Sequence, residues 1–185
     1  MGRGFGKNLP QRQSPQRRRD PVAAAPSNQE LVGETLAPYV RSLPMVIEAM
    51  LDLAEVSAAD CLYDLGCGDG RIVIAAARRG AKAVGIERDP KLIEIAQAEA
   101  VQAGVAEQVS FWQADLRTVD LSVATVVTLY LLPRTQLALR ERLRSQLRPG
   151  SRIVTHSFDL GDWLPTRTTG VADVINTYPI YLWQL

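Results

Sequence analysis

The sequence predicts an α/β domain built on a doubly wound, mostly parallel, seven-stranded sheet whose last strand runs antiparallel. Three observations carry this. Between about residues 61 and 158, short apolar runs rich in Val, Ile and Leu alternate with helical patterns, as strand–helix–strand crossovers require. The run Leu62-Tyr63-Asp64-Leu65-Gly66-Cys67-Gly68-Asp69-Gly70-Arg71 turns a buried strand into a helix through three alternate glycines. A loop of that kind aims free N–H groups at whatever sits above the sheet. Finally, acidic residues (Asp64, Glu87, Asp115) stand at or near the ends of three successive strands. They fall on one edge of a parallel sheet, the edge where ligands of such folds bind.

Residues 1–28 are rich in Gly, Pro, Gln and Arg with almost no large apolar side chains. They cannot offset the entropy of ordering, so a disordered basic tail is expected there and a single domain over 29–185. Met45, Ile47, Met50, Leu51 and Leu53 give a first helix, about 45–55, its apolar face, with Pro44 at its opening turn. Cys61–Leu65 is strand one, and Ile72–Arg79 its helix, stopped by Gly80. Strand two is Ala81–Glu87. Asp89-Pro90 then caps a helix that Gly104 ends. Val109–Gln113 is strand three, leading into Ala114-Asp115-Leu116. Val123–Leu132 reads as strand four, apolar throughout and so buried on both faces. A helix over about 134–147 ends at Pro149-Gly150, and Arg152–Phe158 is strand five. Val171–Asn176 and Tyr178–Gln184 are the last two strands, the final one reversed and wedged into the sheet.

Charge excludes some functions. Residues 1–30 hold six Lys and Arg against Asp20 and Glu30; taken from totals of 21 basic and 20 acidic groups, this leaves 15 and 18 on the rest. The domain has no cationic surplus for phosphate-backbone contacts, which disfavours nucleic acid as substrate. The basic tail suits peripheral contact with an acidic partner or membrane surface. No run approaches the length of a membrane-spanning helix. Cys61 and Cys67 form no CxxC and have no second pair, so neither a disulfide framework nor a metal site is expected. A reducing, cytoplasmic compartment and a monomeric chain fit.

The glycine loop limits the cofactor. A dinucleotide fingerprint begun at Gly66 would place Arg71 where a small residue must pack. Asp64 ahead of the glycines repels a pyrophosphate and suits an ammonium group. No Lys-Ser/Thr pair follows, so a phosphate-binding P-loop is excluded. Glu87, at the end of strand two, can accept both hydroxyls of a ribose. Asp115 can accept from an adenine amino group. Asp69, Arg88 and Leu116 adjoin these positions as further cofactor contacts.

With these residues the chain resembles the class I, seven-stranded S-adenosylmethionine-dependent methyltransferases over about 38–185, a Rossmann-like fold. Asp64, Gly66, Gly68 and Gly70 match that family's first motif, Glu87 its ribose acid and Asp115 its adenine-side acid. Pro38-Tyr39-Val40, Val84-Gly85-Ile86-Glu87 and Ser157-Phe158 with Trp163 resemble a narrower group of protein-lysine methyltransferases. In eukaryotes, members of that group modify mitochondrial carriers and the c subunit of ATP synthase. Those relatives carry a hydrophobic membrane-targeting segment before the domain, where this chain has a polar basic tail. The resemblance implies S-adenosylmethionine as cofactor, Tyr39 closing over its methionine end, and a protein lysine as acceptor. Tyr130, His156 and Asp159, after strands four and five, are the candidate catalytic residues. Tyr130-Leu131-Leu132-Pro133 is not the Asn/Asp-Pro-Pro-Tyr/Phe of amide and exocyclic-amine methylation, and no Pro-Cys nucleophile is present. A small-molecule acceptor, or a non-catalytic cofactor-binding module, stays open on the sequence.

Overall fold

The computed structural model describes residues 40–185, together with Met1; the expected tail over 1–28 and the candidate Tyr39 lie outside the described residues. Pro44, placed where a first turn needs no N–H, opens α1 (Pro44–Leu53), whose Val46, Ile47, Met50 and Leu51 are buried. β1 (Cys61–Leu65) is buried along its whole length and feeds α2 (Arg71–Arg78) through the glycine loop. β2 (Lys82–Glu87) is followed by α3 (Pro90–Gln102), capped by Asp89, whose side chain accepts from the Lys91 N–H at 2.9 Å. Then come β3 (Val109–Gln113), β4 (Val126–Leu129), α4 (Pro133–Gln146) and β5 (Arg152–His156), and last the hairpin of β6 (Arg167–Ala172) and β7 (Thr177–Gln184).

The sheet order is β3-β2-β1-β4-β5-β7-β6. β1 to β5 pair in parallel, and β7 inserts antiparallel between β5 and β6, as the sequence predicts. Two apolar layers hold it. One face packs Tyr63, Leu65, Trp112 and Leu129 with Leu139 and Leu143 of α4; the other packs Leu62, Val126 and Val154 with Met50, Leu51 and Val73 of α1 and α2. All five parallel strands therefore end on one edge, with β1 and β4 adjacent at its centre.

Three strands differ from expectation by more than one residue. β4 is Val126–Leu129, shorter than the apolar run, because Ala124 N–H turns back to the Leu121 carbonyl and Pro133 starts α4. β5 stops at His156, since Ser157 takes a left-handed φ of 66°. β6 is Arg167–Ala172 rather than Val171–Asn176: the Asp173 carboxylate accepts from the N–H groups of Ile175 and Asn176 and makes that stretch a turn.

Candidate active site

The loop after β1 hangs from β2. Gly66 and Cys67 both donate their N–H to the Ile86 carbonyl, at 2.8 and 3.0 Å. Glu87, ending β2, closes the arrangement: its carboxylate accepts from Gly68 N–H at 3.2 Å, Arg88 N–H at 2.8 Å and Asp89 N–H at 3.0 Å. One side chain thus ties the glycine loop to the start of α3.

Asp64 sits beneath the loop, 3% exposed, and takes a hydrogen bond on Oδ1 from the Thr128 hydroxyl at 2.8 Å. Burial raises its pKa to about 7; the Thr128 bond opposes the rise, while the negative Glu87 and Asp69 add to it. Among the described residues no cation is paired with the Asp64 carboxylate. Asp115, after β3, is held differently. Arg117 donates to it from its guanidinium and from its backbone N–H, the latter at 2.9 Å, and those bonds set its pKa below the ordinary value.

Asp69 is engaged within the protein. Arg71 grips it from Nε and Nη2 at 2.9 and 2.6 Å, and Arg41 stands 3.5 Å away. Nη1 of the same Arg71 donates to the Ser42 carbonyl at 2.8 Å. The arm before α1 is thereby strapped to the cofactor loop.

A cleft of about 460 Å³ runs along this edge. Of the expected residues, Asp64, Gly66, Gly68, Asp69, Glu87, Arg88, Asp115, Leu116 and Tyr130 line it. Gly70 is not in its wall; it serves as the N-cap of α2, with φ 78°. His156 is also not in the wall. It is 2% exposed and lies face to face behind Tyr130, ring centroids 3.9 Å apart at 30°. Its Nδ1 is 3.4 Å from the Ser42 hydroxyl, and its buried Nε2 has no hydrogen-bond partner among the described residues. Burial lowers its pKa to about 4, so the ring is neutral at neutral pH. Asp159 is exposed outside the cleft wall, where its carboxylate accepts from Gly161 N–H.

Sequence reasoning missed Arg41 and Ser42, which join the cleft wall from the N-terminal arm. It also missed Gln136, fully buried in the first turn of α4. Gln136 accepts from Leu131 N–H at 3.1 Å and donates to the Phe158 carbonyl at 3.0 Å. It joins the segments that follow β4 and β5, behind Tyr130. A polar residue at a buried helical position, just after the Pro133 start, was its one sequence signal.

The cleft's chemistry fits one cofactor end to end: a buried carboxylate wanting a cation at the glycine loop, an acid at the end of β2, and another after β3. It defines an S-adenosylmethionine-dependent methyltransferase. Residues 64–167 match the family model described as the ANTKMT methyltransferase domain, and the chain belongs to that family. It is similar to a protein-lysine N-methyltransferase of Saccharolobus islandicus, 40% identical over 80% of this chain and 93% of that protein. It is 31% identical to the Xenopus laevis lysine N-methyltransferase named for the c subunit of ATP synthase, over 77% of this chain but only 63% of that longer protein. Among solved structures, a Salinibacter ruber RNA methyltransferase in complex with S-adenosyl-L-homocysteine matches with TM-score 0.74 and 51% identity. The match covers 78% of this chain and 93% of that one.

Proposed function

We propose that this methyltransferase N-methylates lysine side chains of proteins. The observation that carries the reading is the acceptor end of the cleft. Tyr130 forms its wall, and the ring behind it, His156, is buried and uncharged. An amine must shed its proton before it can attack, and an aromatic wall backed by an uncharged ring favours the neutral amine. The name of the Saccharolobus islandicus relative, which this chain spans almost completely, supports lysine as that amine.

When bound, S-adenosylmethionine supplies an electrophilic methyl group on its sulfonium. The chain's own residues bind and align. Asp64 receives the ammonium of the methionine end, Glu87 the ribose hydroxyls, and Asp115 with Leu116 the adenine. Tyr130 offers ring and hydroxyl to the acceptor amine, and positioning of this kind is worth effective molarities of about 10⁵–10⁸ M. His156 acts through Tyr130 by fixing its ring, and Gln136 by joining the segments on either side. Free, buried Cys61 and Cys67 suit a reducing compartment such as the cytoplasm. Among the described residues no helix is long and apolar enough to cross a membrane.

Glu87→Ala removes the ribose acceptor and the tie to Gly68 together. Hydrogen bonds to a charged group contribute about 1.5–3 kcal/mol, so cofactor affinity should fall roughly ten- to a hundredfold. Calorimetric titration checks this, and an unchanged Kd would remove Glu87 from the ribose.

A second reading, RNA as acceptor, is supported by the Salinibacter ruber structure, which is that of an RNA methyltransferase. Transfer of tritiated methyl groups into cell extract, separated into protein, RNA and small molecules, decides between them. Methyl-lysine in hydrolysed protein is the expected result; label confined to RNA would overturn the lysine reading.

A further inference from the structure

The β6–β7 hairpin displays two adjacent β-branched apolar side chains at its tip: Val174 is 102% exposed and Ile175 87%. Single exposed apolar residues are ordinary, but this pair sits on a turn that is held in place. The Asp173 carboxylate accepts from Ile175 N–H at 2.8 Å, from Asn176 N–H at 2.7 Å and from the Tyr178 hydroxyl at 2.8 Å. Asp173 N–H donates in turn to the Asn176 carbonyl at 3.0 Å. Held this way, the tip has less conformational entropy to lose when something binds it.

Its place in the fold is beside the acceptor end. His156, the last residue of β5, pairs with Ile180 of β7, so residues 173–179 run on past the edge where the cleft lies. The Tyr178 ring is 5.9 Å from that of His156, which stacks at 3.9 Å on Tyr130 in the cleft wall. Three rings, from β7, β5 and the segment after β4, thus connect the hairpin to the cleft. α1 packs along β5, β6 and β7, and the partly exposed Leu43 and Met45 at its start add apolar surface near this edge.

The charge is one-sided. From Thr168 to Leu185 the only charged side chain is that of Asp173. The cations of the cleft, Arg41, Arg71 and Arg88, lie toward the cofactor loop and β2. A phosphodiester backbone crossing residues 168–185, beyond Arg167 at the far end of β6, would meet one carboxylate and no cation of that segment. An apolar polypeptide segment would meet a surface of its own kind.

We propose that the β6–β7 tip is the substrate-docking element of this enzyme. Val174 and Ile175 take apolar residues that flank the target lysine in a protein substrate, and Tyr178 stands between them and the reacting amine. This rests on the lysine reading above.

The test uses the full chain and a library of one-lysine peptides randomised at the flanking positions, scored by methyl-lysine formed per peptide. Wild type should favour peptides with apolar flanks by about tenfold or more in kcat/KM over those with Ser and Gly flanks. Val174→Ser/Ile175→Ser should lose that preference, with the cofactor Kd unchanged as a control for the fold. A double variant that keeps the wild-type preference, or a wild type with none, overturns the docking role and leaves the lysine reading standing. No methyl-lysine in any peptide, with label entering RNA in the extract experiment, overturns both.

Discussion

Asp64→Asn is expected to weaken S-adenosylmethionine binding by about two to three orders of magnitude at pH 8 while leaving the fold intact. The asparagine keeps the size of the side chain and an oxygen to accept from the Thr128 hydroxyl. What it loses is the charge proposed to face the ammonium group, and removing one partner of a buried pair costs about 3–5 kcal/mol. The pH dependence is the sharper signature. Burial holds the Asp64 pKa at about 7 in the free protein, against an ordinary value of 3.8. Below pH 7 the carboxyl is therefore mostly protonated, and binding a cation beside it must expel the proton. Wild-type affinity should rise with pH up to about 7 and then level. Binding at pH 6 should release close to one proton, read as a buffer-dependent enthalpy in calorimetry. Asp64→Asn should show neither. The sign for stability is the reverse. A folded pKa raised above the unfolded value gives a contribution fully present below about pH 4 and lost as pH rises through 7, a loss of roughly 4 kcal/mol. Without cofactor, Asp64→Asn should therefore melt higher than wild type at pH 8. A wild-type Kd flat from pH 5.5 to 8 would contradict the placement of Asp64 against the ammonium.

The parts of this site legible in the sequence are those that local chain geometry sets. β1 and β3 begin and end where their apolar runs do, and Asp64, Glu87 and Asp115 reach one edge because parallel strands all end there. Turn chemistry was legible but misweighted: Asp173 and Asn176 are turn formers, yet the apolar Val174 and Ile175 between them read as strand. What could not be read is contact across the chain. Ser42 meets His156 from 114 residues away, and Arg71 reaches the Ser42 carbonyl across 29. Periodicity reports that a residue is buried; it does not say against what. His156 read as a candidate catalytic residue because only its type and its place on strand five were visible, and its enclosure behind Tyr130 is a property of distant strands and the N-terminal arm together. Arg71, which argued against a dinucleotide, straps that arm to Asp69.

The glycines of the loop divide by task, and Gly70→Val separates them. Gly68 lines the cleft, so a side chain there should obstruct the cofactor. Gly70 does not line it; its N–H donates to the Cys67 carbonyl and its φ is 78°, a conformation that opposes any Cβ and a β-branched one most. A Cβ at Gly70 would also lie 2.8 Å from two atoms of the Phe111 ring on β3 and 2.9 Å from the Ala96 methyl on α3. Ala96 is wholly buried and part of a helix, so it has no flexible end to swing aside. The left-handed backbone costs about 1–2 kcal/mol for a residue with a Cβ, and overpacking about 1–3 more. Gly70→Val should therefore lose about 2–5 kcal/mol of stability, a fall in Tm of roughly 5–15 °C for a domain of this size. Trimming the obstacle should restore part of it. Phe111→Ala costs stability alone, but in the Gly70→Val background it should cost less, a coupling that a double-mutant cycle measures. Additive losses, or a Gly70→Val protein that melts like wild type and fails only to bind cofactor, would place Gly70 at the ligand rather than in the packing of the loop against β3 and α3.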